Sequence, residues 1–153
     1  MVITSGNKCP EFEIAHHLDS VAKLSDYKNK VLIIAFHPFS FTGGWTVQVD
    51  GFRHHWEYLQ ENNIDLIEIS CDPIPSQKAF SNMLAGIPFP MGSDFHPRGL
   101  ISRQFGVYNE EKGNSKRSVF IIDKKGIINF SKEYEPGSLP KIEDLKEILD
   151  KLI

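Results

Sequence analysis

Residues 31 to 59 read VLIIAFHPFSFTGGWTVQVDGFRHHWEYL, and the rest of the chain is arranged around this segment. Residues 31 to 36 are all apolar, which is typical of a strand buried on both faces of a parallel sheet. An apolar set with helical spacing follows and predicts one amphipathic helix: Trp45, Val49, Phe52, Trp56 and Leu59. Where a buried strand turns directly into a helix, unpaired amides and the helix dipole favour an anion. We therefore expect the functional site near residues 37 to 48.

Apolar patterns on either side predict the remaining elements. Residues 12 to 24 predict a hairpin whose polar turn, HHLDS, leaves His16 and His17 in solvent. Residues 64 to 70 predict a second core strand that is parallel and adjacent to the first, because a helix must cross over between them. Three helices and a further hairpin complete the pattern: helices at about 75–84, 99–105 and 139–153, and a hairpin at 119–130.

Composition limits the classes of function. A length of 153 residues fits one domain, residues 1–153, that is large enough to bury a core. A net charge of -3 with mixed signs gives no footprint for nucleic acid or an acidic membrane, and no apolar run approaches the roughly 20 residues of a membrane span. Cys9 and Cys71 stand far apart, which argues against a disulfide scaffold, a zinc site or a dithiol. We expect a cytoplasmic protein with no metal and no cofactor.

The residues after the first strand resemble the active-site signature of the peroxiredoxins, the alkyl hydroperoxide reductase and thiol-specific antioxidant family. Four residues stand where that signature places them: Pro38, Phe41, Thr42 and Thr46. Trp45 takes the position of the peroxidatic Cys, and Gln48 stands where a Glu or Gln is common. Further similar segments, GNKCPEFEI, KLSDYKNKVLIIAF and KRSVFIID with its Arg117, extend the resemblance over almost the whole chain.

The resemblance implies a fold, a reaction and a set of roles. The fold would be thioredoxin-like α/β, a central mixed β-sheet flanked by helices, with a peroxiredoxin-type N-terminal β-hairpin and insertions. The family reaction is thiol-dependent reduction of hydroperoxides, in which Thr42 would contact peroxide, Arg117 would hold thiolate and peroxide, and Pro38 would shield the pocket. Indole nitrogen is a donor only, so Trp45 cannot replace the nucleophile. We therefore predict a peroxiredoxin-family protein that lacks peroxidase activity at position 45.

Simpler roles remain open for the same residues. Thr42 can serve only as a helix N-cap, and Arg117 can be a surface residue at a strand start. Trp45 falls on the apolar stripe of the helix, which favours a core or pocket-plugging residue. Cys71 follows the second core strand, at the sheet edge where ligands bind in open α/β folds, and is the candidate alternative thiol. It can also be a buried structural cysteine.

Three hypotheses follow for the whole chain. The first is a family member that has lost peroxidase activity and keeps the fold as a binding or regulatory module. The second is an active thiol peroxidase that uses Cys71 or Cys9. The third is a natural or engineered Cys-to-Trp variant of an otherwise ordinary peroxiredoxin. The expected partners are a hydroperoxide or other small ligand at the former active site and a second copy of the chain, docked through an aromatic rim formed by Phe39, Phe41 and Phe95.

Overall fold

The structure, a computed structural model, describes residues 2–153 and contains a central seven-stranded sheet and a two-stranded ribbon. The strands are β1 (Glu13–His16), β2 (Ser20–Lys23), β3 (Val31–Phe36), β4 (Ile64–Ser70), β5 (Met91–Ser93), β6 (Tyr108–Asn109), β7 (Asn114–Ser115), β8 (Ser118–Ile122) and β9 (Ile128–Glu133). The α-helices are α1 (Gly43–His54), α2 (Trp56–Glu61), α3 (Ile74–Met83), α4 (Leu100–Gln104) and α5 (Ile142–Asp150). The central sheet has the order β2-β1-β5-β4-β3-β8-β9.

The two apolar runs form the centre of the sheet, as predicted. β3 pairs with β4 in parallel, with Val31 opposite Ile64 and Phe36 opposite Ile69. On its other side β3 pairs with β8 in the antiparallel direction, so the sheet is mixed. All six residues of β3 are buried, because helices and loops cover both faces. The carboxyl ends of β3 and β4 therefore lie side by side, at the edge where the chain turns into α1.

Each face of the sheet has its own core. On one face Trp45, Val49 and Phe52 of α1 pack with Phe80 of α3 and Leu145 of α5. On the other face the core is built from the N-terminal hairpin, the segment after α4 and alternate residues of the central strands. The amphipathic segments predicted around residues 45, 80 and 145 thus cover a single face of the sheet.

Several expectations differ from the structure in detail. The helix predicted from Trp45 to Leu59 is two helices, because at His55 the backbone N–H bonds to Phe52 three residues back and the chain leaves α-helical geometry. The three-residue strand β5 was not predicted, since it is too short to show alternation. No helix among residues 2–153 is long and apolar enough to cross a membrane.

The histidines of the first turn are buried, which contradicts their predicted exposure. His16 is 6% and His17 5% exposed, because the turn folds back on β5. His17 Nδ1 accepts the Met91 N–H at 3.1 Å, and Nε2 lies 3.1 Å from the carbonyl oxygen of Ile87. The two contacts together require a neutral ring with its proton on Nε2.

Candidate functional site at the start of α1

The turn between β3 and α1 is fixed by contacts to the end of β4. His37 donates its backbone N–H to the carbonyl of Ile69 at 3.0 Å. The N–H and hydroxyl of Ser40 both donate to Asp72 Oδ2, at 2.8 and 3.0 Å. Phe41 then adopts a left-handed backbone conformation with φ of 67°, which is uncommon for a bulky residue and concentrated at functional loops. These contacts hold the start of α1 beside the carboxyl ends of the central strands.

The first turn of α1 presents free backbone donors. Its hydrogen bonding begins with Thr46 N–H to Thr42 O at 3.1 Å, so the amides of Gly43, Gly44 and Trp45 have no acceptor within the helix. Thr42 stands at the N-cap position, but its hydroxyl donates to the Phe39 carbonyl at 3.0 Å and does not cap these amides. The exposed end of the helix is therefore open to a negatively charged group.

Arg117 lies against this first turn. Its Nη1 donates to Gln48 Oε1 at 2.6 Å, and a Cβ added to Gly44 would stand 3.3 Å from Nη2. The side chain is partly buried rather than a free surface group. The structure thus brings Arg117, as predicted, to the start of α1, where Thr42 and Trp45 lie. Residues 45 and 117 lie 72 positions apart in the sequence.

A cleft of about 370 Å³ opens beside Arg117. Pro38 forms part of its wall, and Tyr134 and Pro136 add further apolar surface. Basic and acidic groups also line it: Lys112, Lys116, Glu133 and Glu135. Together with Arg117, the lining has three positive and two negative side chains. A small ligand with negative charge therefore fits this cleft better than a cation.

Trp45 fills the interior behind the first turn of α1. The side chain is fully buried, and its ring is parallel to His37, with a centroid distance of 3.2 Å and an angle of 6°. Phe80 stacks with the indole at 5.5 Å. The indole Nε1 has no hydrogen-bond partner in the described structure. Trp45 is thus a core residue, as its position on the apolar stripe of the helix predicted.

A line of hydrogen bonds runs inward from Arg117, and we call Arg117, Gln48, Glu68 and His37 the buried polar chain. Gln48 Nε2 donates to Glu68 Oε1 at 3.1 Å, and Glu68 Oε2 lies 3.2 Å from His37 Nδ1. Gln48, Glu68 and His37 are buried. The chain links the cleft to the ring that stacks on Trp45.

Burial sets the protonation of this chain. It raises the pKa of Glu68 well above its usual value, while the Gln48 hydrogen bond and the charge of Arg117 oppose that rise. Burial, helped by Arg117, lowers the pKa of His37 well below its usual value. Both directions favour neutral forms, so we interpret the contact of Glu68 Oε2 with His37 Nδ1 at 3.2 Å as a hydrogen bond between a protonated carboxyl and a neutral ring rather than an ion pair.

Glu68 was not among the residues predicted to form the site. The available signal was an acidic residue between Ile67 and Ile69, in a strand expected to be buried on both faces. A buried carboxyl requires partners, so its presence there indicated a polar network. The sequence did not identify those partners, since His37 and Gln48 lie 31 and 20 residues away.

The two cysteines lie in environments that suppress the thiolate. Burial, with a smaller contribution from Glu11, raises the pKa of Cys9 to about 12. Cys71 directly follows β4, is buried, and lies 3.7 Å from Ser115 Oγ. Burial raises its pKa as well. Among residues 2–153 no group of three or more His, Cys, Asp or Glu side chains is placed to hold a metal ion.

The fold and this helix start define the class of the protein as thioredoxin-like α/β. The crystal structure of Enterococcus faecalis AhpC superposes with a TM-score of 0.87 and 26% identity, covering 99% of this chain and 92% of that one. The sequence model of the AhpC/TSA family matches residues 5–131, and the chain belongs to that family. The predicted thioredoxin-like fold and peroxiredoxin family are both confirmed.

Relatives of known name are similar over most of their length. Alkyl hydroperoxide reductase E of Mycobacterium tuberculosis is 30% identical over 139 residues, which covers 90% of each chain. The selenocysteine-containing peroxiredoxin PrxU of Peptoclostridium acidaminophilum is 30% identical over 157 residues, covering 97% of this chain and 75% of that protein. Reduction of hydroperoxides is thus the reaction of the family to which the chain belongs.

Proposed function

We propose that this chain is a peroxiredoxin-family protein without peroxidase activity at position 45, which keeps the peroxide-binding part of the site for a small anion or a hydroperoxide. The observation that carries the proposal is Trp45, whose buried indole occupies the first turn of α1. The family resemblance puts the peroxidatic sulfur at that position. A peroxiredoxin reaction needs a thiolate to attack the peroxide oxygen, and indole supplies none.

Retention of binding is supported by the groups that remain. Arg117 lies against Gly44, the first amides of α1 are free, and Pro38 borders the adjoining cleft. A guanidinium beside a helix N-terminus attracts an anion through both charge and hydrogen bonds. None of these groups depends on a sulfur at position 45. The site therefore has donors for a ligand and no nucleophile to react with it.

A relocated nucleophile at Cys71 has little support from its surroundings. The reactive form of cysteine is the thiolate, and the raised pKa of the buried Cys71 keeps it protonated at neutral pH. Cys9 is disfavoured for the same reason. The peroxide assay described next tests directly whether Cys71 or Cys9 is the nucleophile.

The first experiment measures peroxide reduction. Reduced protein is mixed separately with hydrogen peroxide and cumene hydroperoxide, and peroxide loss and thiol count are followed together. We expect consumption no faster than that of a bystander thiol. Fast turnover that disappears in Cys71→Ser would instead establish the relocated nucleophile.

The second experiment measures ligand binding with benzoate as the probe. Benzoate carries one negative charge and an apolar ring suited to the Pro38 and Tyr134 walls. We expect shifts in the Gly43 and Gly44 amide NMR signals that saturate in the wild type and vanish in Arg117→Gln. Lys124→Gln, an exposed change of equal charge in the β8–β9 turn, is the matched control and should bind as the wild type does. Binding that survives Arg117→Gln would contradict this placement of the site.

A further inference from the structure

The charge of Arg117 has a competitor inside the protein. Glu68 reaches Arg117 through the two ends of one amide: Gln48 accepts from Nη1 at 2.6 Å and donates to Glu68 Oε1 at 3.1 Å. An ionised carboxylate at this place would be a buried anion coupled to the same guanidinium that borders the cleft. The bound ligand and the ionised Glu68 carboxylate would therefore compete for the positive charge of Arg117.

We propose that Glu68 gates the anion site, leaving Arg117 available to a ligand when its carboxyl is neutral and neutralising Arg117 when it is ionised. The inference rests on the proposed function, because the gated ligand is the small anion beside Arg117. It adds a mode of regulation that depends on Glu68, a β4 residue buried away from the cleft. Glu68 is thus a positioning residue that acts on the ligand through Gln48 and Arg117.

The groups that face Glu68 are few. From the end of β3 comes His37, from the residue before β8 comes Arg117, and α1 contributes the uncharged Gln48. His37 is held neutral, since burial and Arg117 lower its pKa well below the usual value. Arg117 is consequently the charged group that acts on Glu68 within this set.

The sign of the gate follows from the raised pKa of Glu68. Below that pKa the carboxyl is neutral, and the guanidinium keeps its field at the helix start. As pH rises through it, Glu68 becomes an anion stabilised by Arg117, and anion affinity falls. Coupling is reciprocal, so a bound anion must in turn raise the pKa of Glu68. Burial raises the pKa of Tyr134, the tyrosine in the cleft wall, so this side chain stays neutral at neutral pH.

The variant Glu68→Gln separates charge from shape. A glutamine at position 68 can still accept from Gln48 and donate to His37 Nδ1, as the neutral carboxyl does. Glu57→Gln, the same change at an exposed site on α2, is the matched control. We expect the benzoate affinity of the wild type and of Glu57→Gln to fall about tenfold as pH rises through the pKa of Glu68. In Glu68→Gln most of that fall should disappear.

A ligand-free measurement keeps the test independent of the binding proposal. The side-chain carboxyl carbon of Glu68 is titrated by NMR in the wild type and in Arg117→Gln. We expect it to titrate above its usual range in the wild type and about one pH unit higher in Arg117→Gln, because the opposing charge is gone. A shift of this kind without benzoate binding at any pH would refute the proposed ligand site and leave the Glu68 coupling standing.

Other outcomes overturn the gate itself. Benzoate binding with the same pH dependence in wild type and Glu68→Gln would do so and leave the proposed function intact. So would a Glu68 carboxyl that shows no ionisation up to pH 10, or one whose titration is unmoved by Arg117→Gln.

Discussion

Replacing Trp45 with cysteine tests the proposal that the family carries its peroxidatic sulfur at position 45 and that the groups around this position still favour a thiolate. In Trp45→Cys the new thiol would stand in the first turn of α1, beside free amides and near Arg117. We expect peroxide reduction above that of the unmodified chain, though slower than a family enzyme achieves, since the indole leaves a cavity and His37 loses its stacking partner.

The stability change can be worked out from the packing of Trp45. Truncation of a buried Trp to Ala costs about 3–5 kcal/mol, and cysteine retains one more heavy atom, so the lower end applies. The substitution also removes the unpartnered indole N–H, which raises the free energy of unfolding by about 1 kcal/mol. The net loss of about 2–3 kcal/mol is below the roughly 5–15 kcal/mol that stabilises a typical domain. The variant should therefore fold.

The acidity of the new thiol is the more direct readout. Cysteine has a pKa of about 8.5 when unperturbed. A helix N-terminus contributes up to about 1 kcal/mol of stabilisation to a thiolate, and a nearby Arg lowers the pKa of an acid by about 1–3 units. Partial burial acts in the opposite direction. We expect a pKa of about 7 for the thiol at position 45.

The assay is the pH dependence of alkylation by iodoacetamide, with the labelled cysteine located by mass spectrometry. Cys9 and Cys71 serve as internal references, because burial raises both pKa values. Trp45→Ser is the matched control of equal size without sulfur. A folded Trp45→Cys protein whose thiol titrates at or above about 8.5 would contradict this prediction, since the surrounding groups would then no longer favour an anion.

Three further predictions concern other parts of the molecule. Burial lowers the pKa of His17 in the folded state, so the unfolded chain takes up the proton first and the free energy of unfolding in urea should fall as pH drops below about 6.5. The variant His17→Asn should reduce this pH dependence, whereas His54→Asn, at an exposed site, should not. Asp94 accepts hydrogen bonds from the backbone N–H groups of two α4 residues at 3.0 and 2.8 Å, so Asp94→Ala should lower the free energy of unfolding by about 2–3 kcal/mol, measured by chemical denaturation. The aromatic rim has Phe41 53% and Phe95 42% exposed, and we expect a dimer by sedimentation that Phe41→Asp dissociates; a wild-type monomer at high micromolar concentration would contradict this.

Local patterns predicted much of the fold. The apolar run of β3 and the amphipathic spacing after it are short-range signals. Each predicts its element correctly because the apolar residues must be buried, and the structure buries them. The signature residues around Thr42, together with Arg117, predicted a site at the start of α1, and the structure brings both residues to that place. The break at His55 and the three-residue β5 were not predicted, because neither alters the apolar spacing.

Residue types read in order were enough to predict the family and the parallel pairing of β3 with β4, and they show that position 45 carries no sulfur. The folded chain was needed to show that Trp45 is stacked on His37 and that Glu68 is linked through Gln48 to Arg117. A hydrogen bond joins two particular atoms that the fold brings within about 3 Å of each other. Short-range sequence patterns do not indicate which residues on separate elements come into contact.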